Sequence, residues 1–124
     1  MTHTKVLVID DDLITRKTLV KTLEKAGFVT VQSSNGKHGW ETLWENPDIA
    51  LVVTDMMMPD MDGRELLNVV RGNQCFANLP VIIVSGIVDE TEVQDLLKLG
   101  PSRFCAKPFN GDKLKALTDE LLQR

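Results

Sequence analysis

Four groups of residues in this chain could do chemistry together. The first is the run Asp10–Asp12, which closes the stretch KVLVIDDD after four consecutive apolar residues. The others are Asp55 in LVVTDMMMPDMDG, Ser85 in VIIVSG and Lys107 in KPF. Two unit charges about 4 Å apart repel by ~1 kcal/mol in water and ~4 kcal/mol at an effective dielectric near 20. A half-buried acidic cluster is therefore costly unless a cation sits in it. Carboxylates offer oxygen ligands only, which suits a hard cation such as Mg2+. Acids, a lysine and a hydroxyl then make an apparatus for phosphoryl transfer. The cations neutralise phosphoryl oxygens, and the hydroxyl donates a hydrogen bond to one. A carboxylate can itself be the nucleophile, giving an acyl phosphate. The chain contains no GxxxxGK[ST] loop, so a nucleotide is not the obvious phosphoryl donor.

Taken singly, each group has a plainer explanation. Aspartates before a helix are good caps, and their charges can be solvated. Asp55 alone is a loop acid, Ser85 a turn residue and Lys107 a surface charge. The chemistry requires elements that bring the four groups to one place.

Four short apolar runs stand out as strands: Val6–Ile9, Ala50–Val53, Val81–Val84 and the weaker Arg103–Ala106. Phe28–Val31 is a less uniform fifth. The clearest runs do not alternate polar with apolar, which suits strands buried on both faces of a parallel sheet. Helical stripes lie between and after them: Leu19, Leu23 and Ala26; Trp40, Leu43 and Trp44; Leu66, Leu67 and Val70; Val93, Leu96 and Leu97; Leu114, Leu117 and Leu121. Each stripe, including both tryptophans, is expected to face a core. Gly27, Gly72 and Gly100 are placed to stop helices, and Asp62, Asp89 and Asn110 to cap them. The order is βα repeated five times. Parallel strands need right-handed crossovers, so helices cover both faces of a doubly wound α/β sandwich. Ligands in such sheets sit beyond the C-terminal ends of the strands. Asp10 and Asp11 end the first strand, Asp55 the third, Ser85 the fourth, and Lys107, before Pro108, the fifth. The fold would gather them at one edge.

The bulk properties agree. A chain of 124 residues suits one domain over 1–124 and can bury a core without staples. The net charge of −4 argues against direct nucleic-acid binding by this segment, because phosphate contacts demand an excess of Lys and Arg. Cys75 and Cys105 are isolated, with no CxxC and no neighbouring histidine, which disfavours zinc. No apolar run approaches the ~20 residues that span a bilayer, and MTHTK lacks a signal-peptide core. The expected location is the cytoplasm, with no membrane partner.

In combination, VLVIDDD, LVVTDMMMPDMDG, VIIVSG and KPF, in this order, resemble the receiver domain of bacterial two-component response regulators. The resemblance runs from Lys5 to about Leu122. It implies a flavodoxin-like five-stranded parallel sheet of order 2-1-3-4-5. It makes Asp55 the phosphoacceptor. Asp11, Asp55 and the Met57 backbone carbonyl would bind Mg2+, and Asp10 would act mainly through a water. Lys107 would pair with Asp55 or its phosphoryl group across a cis Lys107–Pro108 bond. Ser85 would hydrogen-bond the phosphoryl group, and Phe104 would be the aromatic switch. Asp12 would start the first helix. The implied donor is a phosphohistidine on a sensor histidine kinase or phosphotransfer protein, and the receiver catalyses only its own phosphorylation and dephosphorylation. The face of the fourth helix, fifth strand and fifth helix would then change shape to control an output domain or a homodimer. Met57 and Ile87, both apolar, would flank the path of the water that attacks the acyl phosphate.

The chain departs from the family in GPSRFCAKPF, where Pro101 stiffens a turn and Arg103 adds charge beside the output face. Ser85 replaces a commoner Thr and keeps the hydroxyl. Phe104 lacks the phenol of many members. Two further classes compete. A degenerate receiver would bind partners without phosphorylation and need not retain the acids and Lys107. A phosphatase would need a substrate cap, and a flavin binder a Ser/Thr/Gly-rich loop where DDDLIT stands.

Overall fold

The computed structural model describes residues 4–86 and 90–123. Its element order is β1 (Lys5–Ile9), α1 (Leu13–Lys25), β2 (Val29–Ser33), α2 (Gly36–Glu45), β3 (Ile49–Thr54), α3 (Gly63–Arg71), β4 (Val81–Ser85), α4 (Glu90–Leu97), β5 (Ser102–Ala106) and α5 (Gly111–Leu122). All strand pairs are parallel, in the order β2-β1-β3-β4-β5.

Side chains alternate across a strand, and the two faces of this sheet fill separate cores. Val6, Val8, Leu51, Val53, Ile82 and Val84 pack with Leu19 and Leu23 of α1 and Leu114 of α5. Leu7, Ile9, Val52, Val81 and Ile83 pack with Leu43 of α2, Leu66, Leu67 and Val70 of α3, and Leu96 of α4. Strands β1, β3 and β4 are therefore apolar on both sides, which explains their unbroken apolar runs. Strand β2 lies at an edge. It starts one residue later than Phe28, which is buried in the core instead, and it runs to Ser33.

Local signals set the helix ends. Asp12, Asn35, Asp62 and Asn110 are N-caps whose side chains accept backbone N–H groups of the first turn. Gly27 follows α1 at φ +97°, where a Cβ would be strained. Asp89, expected as a cap, lies outside the described residues, as does Ile87. The second stripe behaves differently from the expectation. Leu43 is fully buried, but Trp44 is half exposed and Trp40 partly so. The two indoles and Phe76 meet edge to face, with centroids 5.1–5.7 Å apart, on the rim of the core. The Lys107–Pro108 bond is cis. No helix among the described residues is long and apolar enough to cross a membrane.

Candidate functional site

The parallel register brings the strand ends level. Ile9 pairs with Thr54 and with Ser33, and Ser85 pairs with Ala106. The residues that follow continue the ladder: Asp55 N–H donates to Ile9 O at 3.0 Å, Asp10 N–H to Ser33 O at 3.2 Å, and Lys107 N–H to Ser85 O at 3.0 Å. Residues far apart in sequence thus share one edge.

The three aspartates of the opening run have three different environments. Asp10 is fully buried; its Oδ1 accepts the Asp12 N–H at 2.9 Å and its Oδ2 the Lys107 ammonium at 3.1 Å. Asp11 is exposed. Asp12 turns into α1, where its carboxylate accepts the Thr15 N–H at 3.0 Å and the Thr15 hydroxyl. These bonds hold the Asp12 carboxyl below its ordinary range. Asp55 is buried; Oδ1 accepts the Met56 N–H at 2.7 Å and Oδ2 the Lys107 ammonium at 3.1 Å.

Burial pushes the Asp10 carboxyl above its ordinary pKa, against the Asp12 N–H and Lys107, which lower it. Burial alone would pull Lys107 down, but its hydrogen bonds to Asp55 and Asp10 outweigh this and leave its pKa raised. The lysine is thus a fixed cation between two buried acids. Three carboxylates and one ammonium leave a formal −2, which one divalent cation would balance. One oxygen from each of Asp10, Asp11 and Asp55 lies within 4.8 Å of the other two. Oxygens opposite one another around Mg2+ sit about 4.2 Å apart, so little movement would converge these three. The donor set is all oxygen, as a hard cation requires.

Ser85 is buried at the end of β4. Phe104, on β5, is partly buried against the α2–α3–α4 core. Both line a cavity of about 240 Å3 with Met56, Met57, Arg64 and Val93. Met57 is 59% exposed. The structure therefore brings Asp10, Asp11, Asp55 and Lys107 together, and places Ser85, Met57 and Phe104 around the adjoining cavity. Two residues escaped the sequence reading. Gly63 donates its N–H to Met56 O at 2.8 Å and packs so closely that a Cβ would lie 2.5 Å from Asp55 O. Arg16 donates to Asp10 O at 2.7 Å. A cation in the first turn of a helix opposes the macrodipole, and that misplaced charge was the available signal for Arg16.

Comparison with known proteins agrees with this geometry. The family model of the response regulator receiver domain matches residues 6–119. The chain is 33% identical to a chemotaxis protein CheY homolog of Campylobacter jejuni, over 95% of this chain and 92% of that one. It is 33% identical to chemotaxis protein CheY1 of Helicobacter pylori, over 95% and 96%. A response regulator receiver protein from Pseudomonas putida superposes with a TM-score of 0.88 at 30% identity, covering 97% of this chain and 98% of that one. With its strand order, its acid–lysine edge and these relatives, the chain belongs to the receiver domain family of two-component response regulators.

Proposed function

We propose that residues 1–124 form one receiver domain that accepts a phosphoryl group on Asp55 from a phosphohistidine. The observation that carries this reading is the convergence of Asp10, Asp11 and Asp55 oxygens within 4.8 Å, with Lys107 3.1 Å from both Asp10 and Asp55. A carboxylate oxygen of Asp55 attacks phosphorus, a P–O bond forms and the P–N bond breaks. The leaving imidazole nitrogen keeps the electron pair and takes up a proton. Asp10, Asp11, Asp55 and the Met57 carbonyl would hold Mg2+, Asp10 through a water. When bound, the ion supplies neutralisation of phosphoryl oxygens. Lys107 adds a second cation next to the nucleophile. The Met56 N–H fixes Oδ1 and so orients the carboxylate.

Phosphorylation replaces a carboxylate's −1 by up to about −2. The Ser85 hydroxyl would follow that charge, and Phe104 would turn into the cavity the two residues share. This rearranges the face of α4, β5 and α5, a local charge event acting on a two-state element. The partners are a sensor histidine kinase or phosphotransfer protein on one side, and an output domain or second copy on the other. The expected location is the cytoplasm.

The test is to incubate the protein with Mg2+ and a small acyl phosphate and measure its mass. The parent should gain one phosphoryl group, and Asp55→Asn should gain none. An undiminished gain in Asp55→Asn would remove Asp55 as the acceptor. No gain in the parent, with this donor or a phosphohistidine protein, would instead favour a receiver that binds partners without phosphorylation.

A further inference from the structure

Arg16 reaches back from α1 and makes two hydrogen bonds. One guanidinium nitrogen donates to the Asp10 backbone carbonyl at 2.7 Å. Nε donates to Gln32 Oε1 at 3.2 Å. Gln32 lies on β2, opposite Val8 of β1. The side chain therefore ties together a helix, an edge strand and the loop that carries the acids.

The Asp10 carbonyl belongs to the peptide that joins Asp10 to Asp11. The rest of Asp10 is already fixed: its N–H by Ser33 O, its carboxylate by Asp12 N–H and Lys107. Asp11 is exposed and its carboxylate accepts no hydrogen bond among the described residues, yet one of its oxygens falls in the three-acid cluster. Its position depends on the plane of the peptide before it. The guanidinium bonds to the carbonyl of that peptide.

We propose that Arg16 is a positioning residue for the cation site, holding the Asp10–Asp11 peptide so that the Asp11 carboxylate is pre-organised toward Asp10 and Asp55. This rests on the reading of the acidic cluster as a Mg2+ site. Groups that orient a metal ligand are worth about 10–100-fold in metal affinity. The proposal opposes the simplest electrostatic expectation, because Arg16 is itself a cation near the site. If it acted through charge alone, its removal would strengthen Mg2+ binding. If it positions Asp11, its removal weakens binding.

Lysine separates the two effects. It keeps the charge but lacks the planar fork that meets a carbonyl and an amide oxygen at once. The experiment is calorimetric titration of MgCl2, at fixed ionic strength, into the parent, Arg16→Gln, Arg16→Lys, Gln32→Ala and Asp11→Asn. Thermal unfolding without metal checks that each variant is folded. We expect Arg16→Gln and Arg16→Lys to bind about tenfold more weakly than the parent. Gln32→Ala, which removes one arm of the grip, should lose about two- to threefold. That variant keeps the test open if either Arg16 substitution fails to fold. Parent-like affinity in Arg16→Lys, tighter binding in Arg16→Gln, or an unchanged Gln32→Ala would overturn the proposal and leave the site reading intact. If the parent shows no saturable binding that Asp11→Asn abolishes, the site reading falls and the proposal falls with it.

Discussion

Lys107 meets Asp55 through a single oxygen, Oδ2, at 3.1 Å, while the other oxygen is held at 2.7 Å by the Met56 N–H. The same ammonium lies 3.1 Å from Asp10 Oδ2. Two acids that would repel each other are thus bridged by one cation, which leaves both carboxylates in place. A divalent ion in the proposed cation site would share that electrostatic task with the lysine, and removing either should increase dependence on the other.

We expect Lys107→Met to destabilise the metal-free protein by about 1–3 kcal/mol. A fully buried pair that loses one partner costs roughly 3–5 kcal/mol, and this one is partly open, with the lysine side chain 23% exposed. Lys107 has a raised pKa, so its stabilisation is complete below its ordinary 10.5 and is lost as pH rises through the higher folded value. The loss should therefore be fully visible at neutral pH. Millimolar Mg2+ should restore more stability to Lys107→Met than it adds to the parent. Thermal unfolding with and without the ion measures both effects, and a variant as stable as the parent without metal would show that the lysine does not offset the acids.

Asp10 should behave in the opposite sense. Its folded-state pKa is raised by burial above the ordinary 3.8. Such a group favours folding fully below 3.8, and that contribution is lost as pH rises through the folded value. At neutral pH the ionised carboxylate works against folding. Asp10→Asn keeps an oxygen to accept the Asp12 N–H and removes the charge. We expect it to stabilise the metal-free protein at pH 7 by about 1 kcal/mol, the usual size of a single-residue effect. The gain should hold while pH stays above the raised folded-state pKa and shrink as pH falls from there toward 3.8. Urea unfolding across that range, with chelator present, checks the slope; a gain independent of pH would assign the effect to shape.

The fold was legible where burial on both faces imposes an unbroken apolar run, as at Val6–Ile9 and Val81–Val84. It was less legible at β2, an edge strand whose residues other than Ser33 are exposed or half-buried, so Phe28 read as strand when it is core. Trp44 misled for a related reason. It sits one residue beyond Leu43, about 100° further round α2, and closes against Trp40 and Phe76 at the surface instead of entering the core. The acids and Lys107 were legible because each ends a strand. Arg16 and Gly63 were not, since their roles depend on the path of a loop. A glycine after MD reads as a turn, and only the structure puts it against the Asp55 carbonyl.

Gly63 gives a prediction whose sign runs against helix propensity. It is the first residue of α3, and alanine there would ordinarily stabilise a helix by about 0.5–1 kcal/mol. Its Cβ would stand 2.5 Å from Asp55 O and 2.9 Å from Met56 Cα. Both are backbone atoms and cannot rotate away. We expect Gly63→Ala to cost about 1–3 kcal/mol, as overpacking does. It should also slow phosphoryl acceptance, because the backbone that must shift carries Asp55. Denaturant unfolding and the rate of mass gain with an acyl phosphate test the two parts; a stabilised variant would mean that the β3–α3 loop adapts without strain.

The lifetime of the phosphorylated form depends on water. Met57 stands two residues after Asp55, 59% exposed, on the wall of the cavity that Ser85 and Phe104 share. A thioether is a weak acceptor and no donor, so it cannot orient an attacking water. On the reading of Asp55 as phosphoacceptor, its bulk would crowd a water approaching from that cavity. An amide there would offer both a donor and an acceptor. We expect Met57→Asn to lose the phosphoryl group about tenfold faster, equivalent to ~1.4 kcal/mol on the barrier. Met57→Ala separates the two contributions, since it removes bulk without adding a polar group. If crowding dominates, alanine should accelerate the loss as much as asparagine. If water positioning dominates, alanine should stay close to the parent. The measurement is the decay of phosphorylated mass after the donor is removed, at constant Mg2+. Equal decay in all three proteins would mean that the Met57 side chain does not shield the acyl phosphate.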